Sequence, residues 1–163
     1  MDAASSLREP SQRVSPRARL MWTVEAAVQA AMPLVALVVV SGPVDAFDVP
    51  WWAWVLLVVV LLGYVAVVSS WRYLVHRWEV TDTAVYTQTG WWARERRIAP
   101  MSRIQTVDHV EGAISRLFGL ATVTATTASA AGALEIAGLD KDVARRLVDD
   151  LTIKADAVEG DAT

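Results

Sequence analysis

Two histidines, His76 and His109, are the only side chains of this 163-residue chain whose ordinary titration lies near neutrality, and there is no cysteine. That inventory narrows the chemistry at once. Disulfides and cysteine metal sites are excluded, and a histidine would need a carboxylate or a second ligand beside it to act as a base or bind a metal. His109 follows Asp108, but neighbours on a strand point to opposite faces, so the pair is no ready-made dyad. His76 sits in an alternating segment on its inward side, where a lone histidine reads as a hydrogen-bonded core residue. No metal-ligand spacing, phosphate-cradling glycine loop or nucleophile elbow is present. The expectation is a protein that is not an enzyme, with no catalytic residue, no metal and no cofactor.

The densest polar chemistry is in the stretch WWARERR, where Trp91 and Trp92 precede Arg94, Arg96 and Arg97. Arginines near an anionic leaflet gain about 1 kcal/mol each, and tryptophans favour the membrane interface. These five residues are the candidate contact for a lipid or a partner. The alternative is a hairpin tip with solvated arginines, one of them paired with Glu95, and tryptophans packed on the core. Arg103 and Arg116 could likewise hold phosphate or pair with Asp108 or Glu111. Residues 72–151 carry ten Lys or Arg against ten Asp or Glu, so no overall basic field exists and nucleic acid is not an expected partner.

What positions these residues is unusually apolar: 54% of the chain is hydrophobic, and the excess is concentrated. Trp51 to Trp71 contains no charge and is long enough to cross about 30 Å of hydrocarbon. Ala26 to Val44 is a second uncharged stretch, in which Pro33 predicts a kink and Glu25 and Gln29 lie near or within the span. A cleaved secretory signal fits poorly, because the charged leader is long and no small-residue cleavage site follows. Arg8, Arg13, Arg17 and Arg19 precede the first span, and Arg72, His76 and Arg77 follow the second. The connecting GPVDAFDVP holds only the acids Asp45 and Asp48. The bias predicts an antiparallel hairpin in the cell membrane with both termini cytoplasmic. The expected organisation is a basic N-terminal segment (1–20), a transmembrane hairpin (21–71, spans about 24–44 and 51–71), a cytoplasmic domain (72–153) and a disordered acidic tail (154–163).

Beyond the spans the periodicity changes. YLVHRWEV alternates, and strands are also expected at AVYTQTG, ARERRIA, IQTVDHVEG, LATVTATTA and ALEIAG. Asp140 is a suitable helix N-cap with Leu139 before it, and Val143, Leu147 and Leu151 recur every four residues. They predict a closing amphipathic helix over about 141–151. Several strands and one helix point to a small, partly closed barrel or curled sheet plugged by that helix.

Arg103, Ile104, Gln105 and Val107, then Arg116, Leu117, Phe118, Gly119, Leu120 and the strand after them, a glycine break, a short strand and the ARRLVDDL helix form an ordered pattern. It resembles the bacterial pleckstrin-homology-like (PH-like) domain family in its YdbS-like membrane-anchored form. The resemblance covers roughly 72–151, and the paired spans upstream agree with it. It implies a curled seven-stranded barrel capped by a C-terminal α-helix, behind a two-helix transmembrane hairpin, with no established catalytic activity. It carries no defined site residues.

Read from the residues, most of that pattern is scaffold. Leu117, Phe118 and Leu120 are expected to fill the core with Val143, Leu147 and Leu151, and Gly119 to ease the turn into the strand. The functional expectation is a domain held at the inner membrane face for self-association or for binding a related membrane protein. The alternative is sensing of anionic lipid headgroups by the Arg94–Arg97 cluster. The lipid bilayer is a partner on either reading.

Overall fold

Long apolar runs form the bulk of two helices, α1 (Arg17–Ser41) and α2 (Trp51–Val75). The structure is a computed structural model that describes residues 9–41, 50–90, 93–128 and 132–160. The acidic loop over 42–49 therefore lies outside the described residues. Each helix has 25 residues, or about 37 Å at 1.5 Å per residue, enough to cross a bilayer core. Their middles are exposed apolar surface, including Val35, Val39, Leu56, Val60 and Leu62. α1 continues through Pro33.

Both helices overrun the expected spans at the same end. α1 begins at Arg17, and its first turns bury Ala18, Met21 and Trp22 in the core of the domain. α2 runs on to Val75, so the strand expected from Tyr73 begins only at Arg77. Helical hydrogen bonding from the span outlasts the alternation of YLVH. His76 then adopts extended geometry, its N–H still donating to the Arg72 carbonyl at 2.9 Å.

Seven strands make up the rest of the domain's framework. β1 (Gln12–Arg13), β2 (Arg77–Val80), β3 (Ala84–Thr89) and β4 (Glu95–Pro100) form one antiparallel sheet in that order. β5 (Ile104–Val110), β6 (Leu120–Thr127) and β7 (Leu134–Asp140) form a second, also antiparallel. Among the described residues no ladder joins the two sheets, so the expected barrel is not closed. β4 stops at Pro100, which has no N–H to donate, and a 3-10 turn over Met101–Arg103 carries the chain into the other sheet.

The core lies between the sheets. Trp78, Val85 and Ala99 face Ala121, Val123, Leu134 and Ile136, and the last helix closes the assembly with Ala144, Leu147 and Leu151. That helix, α4, spans Lys141–Gly160 rather than stopping near 151, so 154–160 is helix where a disordered tail was expected. No proline or glycine interrupts it before Gly160. Lys154 binds Asp150 at 3.3 Å and Asp82 at 3.2 Å, fastening this extension to the β2–β3 turn.

The larger departure is at the other end. The basic N-terminal segment is not a separate arm: β1 pairs with β2 (Gln12 with Trp78, Arg13 with Arg77), and Val14 is buried in the core. Ser15 donates its backbone N–H to Gly138 at 2.9 Å and its hydroxyl to Asp140 at 2.9 Å. Residues on both sides of the hairpin thus build one hydrophobic core.

Candidate functional site

The strand register splits the arginine cluster between two faces. In β4, Arg96 pairs with Gln88, which pairs with Arg77, whereas Arg97 pairs with Thr87, which pairs with Trp78. Trp78 is buried in the core, so Arg97 begins on the inner side of the sheet and Arg96 on the outer. Arg97 donates from Nε to Glu95 at 2.6 Å and from Nη1 to the Ala133 carbonyl at 3.1 Å, bridging toward the second sheet. It stands apart from the outer group.

On the outer face, Arg77, Arg94 and Arg96 converge on one carboxylate. Glu9 lies 3.3 Å from Arg96, 3.7 Å from Arg94 and 3.9 Å from Arg77. Behind them Gln88, only 2% exposed, accepts from Arg96 Nε at 2.9 Å and donates from Nε2 to the Val75 carbonyl at 3.1 Å. A buried amide therefore ties the end of α2 to an arginine on β4, two strands along the sheet from β2. Arg77 is two residues past the last residue of α2, which sets the group at the membrane end of the domain. Of the five residues expected in a contact site, Arg94 and Arg96 are in this group, Arg97 is elsewhere, and Trp91 and Trp92 lie outside the described residues. Arg77, Gln88 and Glu9 belong to it and were not expected. Arg77 was legible only as a topogenic charge, and Glu9 is 68 residues from it in sequence.

A second polar group collars the bases of the two helices. The Arg72 guanidinium stacks over the Trp22 ring at 4.8 Å and meets Glu25 at 3.4 Å. Arg19 donates to the Ser70 hydroxyl at 3.1 Å. The His76 ring lies 4.7 Å from that of Trp22, with Nδ1 2.7 Å from the Arg72 carbonyl. Burial pushes the His76 pKa below 6.5; the bond to the Arg72 carbonyl opposes this and the Arg72 charge adds to it. Its imidazole is spent on packing.

His109 is 3.9 Å from Glu111, whose carboxylate binds Lys141 at 2.8 Å. That hydrogen bond to Lys141 is the main reason the Glu111 pKa falls below its ordinary 4.5. Glu111 is thus engaged with α4 rather than with Arg103 or Arg116.

Of the residues expected in the core, Leu120, Leu147 and Leu151 are buried, and Phe118 and Val143 are half-buried against it. Leu117 is 83% exposed, a correction with a simple cause. The short helix α3 (Ala113–Leu117) presents Ile114 and Phe118, four apart, to the core, and Leu117 falls off that face. Gly119, at φ +67°, turns the chain into β6.

The comparisons with known proteins agree with this architecture. The family described as Bacterial PH domain matches residues 27–154, a range that includes most of the helical hairpin and every strand except β1. The UPF0699 transmembrane protein YdbS of Bacillus subtilis (strain 168) is 29% identical over 157 residues, covering 94% of this chain and 98% of that protein. No solved structure matches. With a match over most of its length, two membrane-length helices and a two-sheet domain closed by a C-terminal helix, this chain belongs to the bacterial PH domain family, in its membrane-anchored, YdbS-like form.

Proposed function

We propose that the chain is a non-enzymatic, multi-pass protein of the cell membrane that presents its PH-like domain at the inner face to engage anionic lipid headgroups. The carrying observation is the outer-face group of Arg77, Arg94 and Arg96 at the membrane end of the first sheet. Basic side chains within a Debye length of an anionic leaflet each gain about 1 kcal/mol. Pairing of β1 with β2 supports an even number of crossings, because residues before the first span and after the second share one sheet. The arginines flanking the hairpin favour the cytoplasmic side for both ends. Balanced charge over 72–151 argues against nucleic acid as a partner.

Self-association, or binding to a related membrane protein, is the second reading. An apolar groove of about 170 Å³ between the spans favours it, lined by Ala27, Ala30, Ala31 and Leu34 of α1 and by Leu61 and Val65 of α2. Small residues let a further helix approach closely.

The test uses the full chain, since Ala18, Met21 and Trp22 are core residues that a fragment starting at 72 would lack. In nanodiscs containing phosphatidylglycerol, amide exchange over 77–80 and 94–98 should be slower than in phosphatidylcholine nanodiscs. The difference should shrink as salt is raised. Identical exchange in the two lipids refutes the headgroup reading.

A further inference from the structure

We infer that Arg77, Arg94 and Arg96 form a discrete site for the phosphate of an anionic lipid headgroup, and that Glu9 is an internal ligand the headgroup must displace. This rests on the headgroup reading above and adds to it a defined pocket and a competitor.

Three guanidiniums gathered on one sheet face repel one another unless an anion sits among them, and among the described residues the carboxylate they share is Glu9. It fits imperfectly. One contact, to Arg96 at 3.3 Å, falls within hydrogen-bond distance, while those to Arg94 and Arg77, at 3.7 and 3.9 Å, are ionic contacts only. A carboxylate has two oxygens in a plane and one negative charge. A phosphate has more oxygens, arranged tetrahedrally, and can serve three guanidiniums at once.

The site is also prepared. Gln88, 2% exposed, accepts from Arg96 Nε and is itself anchored on the Val75 carbonyl, so the Arg96 fork is fixed before any ligand arrives. Arg77 and Gln88 are cross-strand partners, as are Gln88 and Arg96, which sets the two outer arginines in one row. That row begins two residues beyond the helix that leaves the membrane, the depth at which lipid phosphates lie.

Glu9, by contrast, reaches the arginines from a side chain that is 47% exposed. The strand behind it, β1, is two residues long, and between them Pro10 is buried and the Ser11 N–H donates to Glu79 at 2.9 Å. Withdrawing the carboxylate needs only rotation of the Glu9 side chain toward solvent, with buried Pro10, β1 and the core residue Val14 left in place.

The experiment is a titration of the detergent-solubilised full chain with dioctanoyl phosphatidic acid, dioctanoyl phosphatidylcholine and inorganic phosphate. Phosphatidic acid should bind saturably and phosphatidylcholine should not. Glu9→Gln should tighten phosphatidic acid binding by about tenfold, because the competent state no longer has to be freed of its competitor. Glu9→Asp, which draws the carboxylate back while keeping its charge, should tighten it less, and carries the test if Glu9→Gln does not fold. The double variant Arg77→Gln/Arg96→Gln should lose saturable binding. Unchanged affinity in both Glu9 variants, with binding lost in the arginine variant, overturns the competitor and leaves the headgroup reading standing. Full binding by the arginine variant overturns both. Inorganic phosphate that binds as tightly as phosphatidic acid overturns the lipid as the source of the phosphate.

Discussion

Replacing Gly138 with alanine tests whether the anchor and the domain share one core. In β7 the register slips between Ala121 and Val123 of β6, so that Ala137 and Gly138 together stand opposite Thr122. Gly138 takes φ +76° there, its carbonyl accepts from the Ser15 N–H, and the first turns of α1 lie directly on it. A Cβ at this position would lie 2.8 Å from the Cβ of Ala18 and 3.4 Å from Trp22 Cζ2. Left-handed geometry at a residue with a Cβ costs about 1–2 kcal/mol. Overpacking a filled core costs about 1–3 kcal/mol more. Together Gly138→Ala should cost about 2–5 kcal/mol, which for a chain of this size lowers Tm by roughly 5–20 °C. The assay is thermal unfolding of the full chain in mild detergent, followed by tryptophan fluorescence. Adding Ala18→Gly removes the closer of the two clashes at about 1 kcal/mol of helix propensity, so the double variant should be less destabilised than the sum of the singles. Strict additivity, or a Gly138→Ala protein that melts like the parent, refutes the shared core.

Phe118→Ala should cost near the lower end of the roughly 3–5 kcal/mol of a core phenylalanine, since its ring is half-buried, while Leu117→Ala should stay within about 0.5 kcal/mol. Equal melting shifts in the two variants would contradict the placement of α3. For His76 the folded pKa lies below the unfolded 6.5, so the unfolded chain takes up the proton first. Its stabilising contribution is present above about pH 6.5 and is lost as pH falls through the lowered folded value; His76→Gln should flatten the decline of Tm in that window, and an unchanged slope would exclude His76 as its source.

How much of this was legible depended on whether the signal was local. Uncharged runs marked both helices, and the β-branched, period-two run over Leu120–Thr127 marked β6, because each pattern lies within the element it specifies. β1 had no such pattern. Gln12 and Arg13 are two polar residues whose strand conformation comes from pairing with Trp78 and Arg77 across the whole hairpin. The end of α2 failed for the opposite reason, since Tyr73 to His76 fits a strand pattern as well as a helix leaving the membrane. The arginine cluster was visible as composition, but its division was not. Whether Arg96 or Arg97 faces outward depends on register, and register follows from which neighbours reach the core. Glu9, the residue that draws the outer arginines together, carries no sequence signal toward them.

The shared core also bears on how the domain would meet the membrane. A domain hung on a flexible linker samples many orientations, and each contact must repay the freedom it removes. Here His76 alone separates α2 from β2, and Trp22, buried at 1% exposure, packs where α1 enters the domain. Arg72, stacked on that same Trp22 and paired with Glu25, joins the second helix to the first at this level. The three attachments hold the sheet at a set height and angle to the helices. On the proposed reading the outer arginines are then presented at headgroup depth before any lipid binds, and modest contacts suffice because the ordering has been done in folding. On that reading Glu9 competes on the same terms: Arg96, held by Gln88, meets either the one carboxylate or one phosphate.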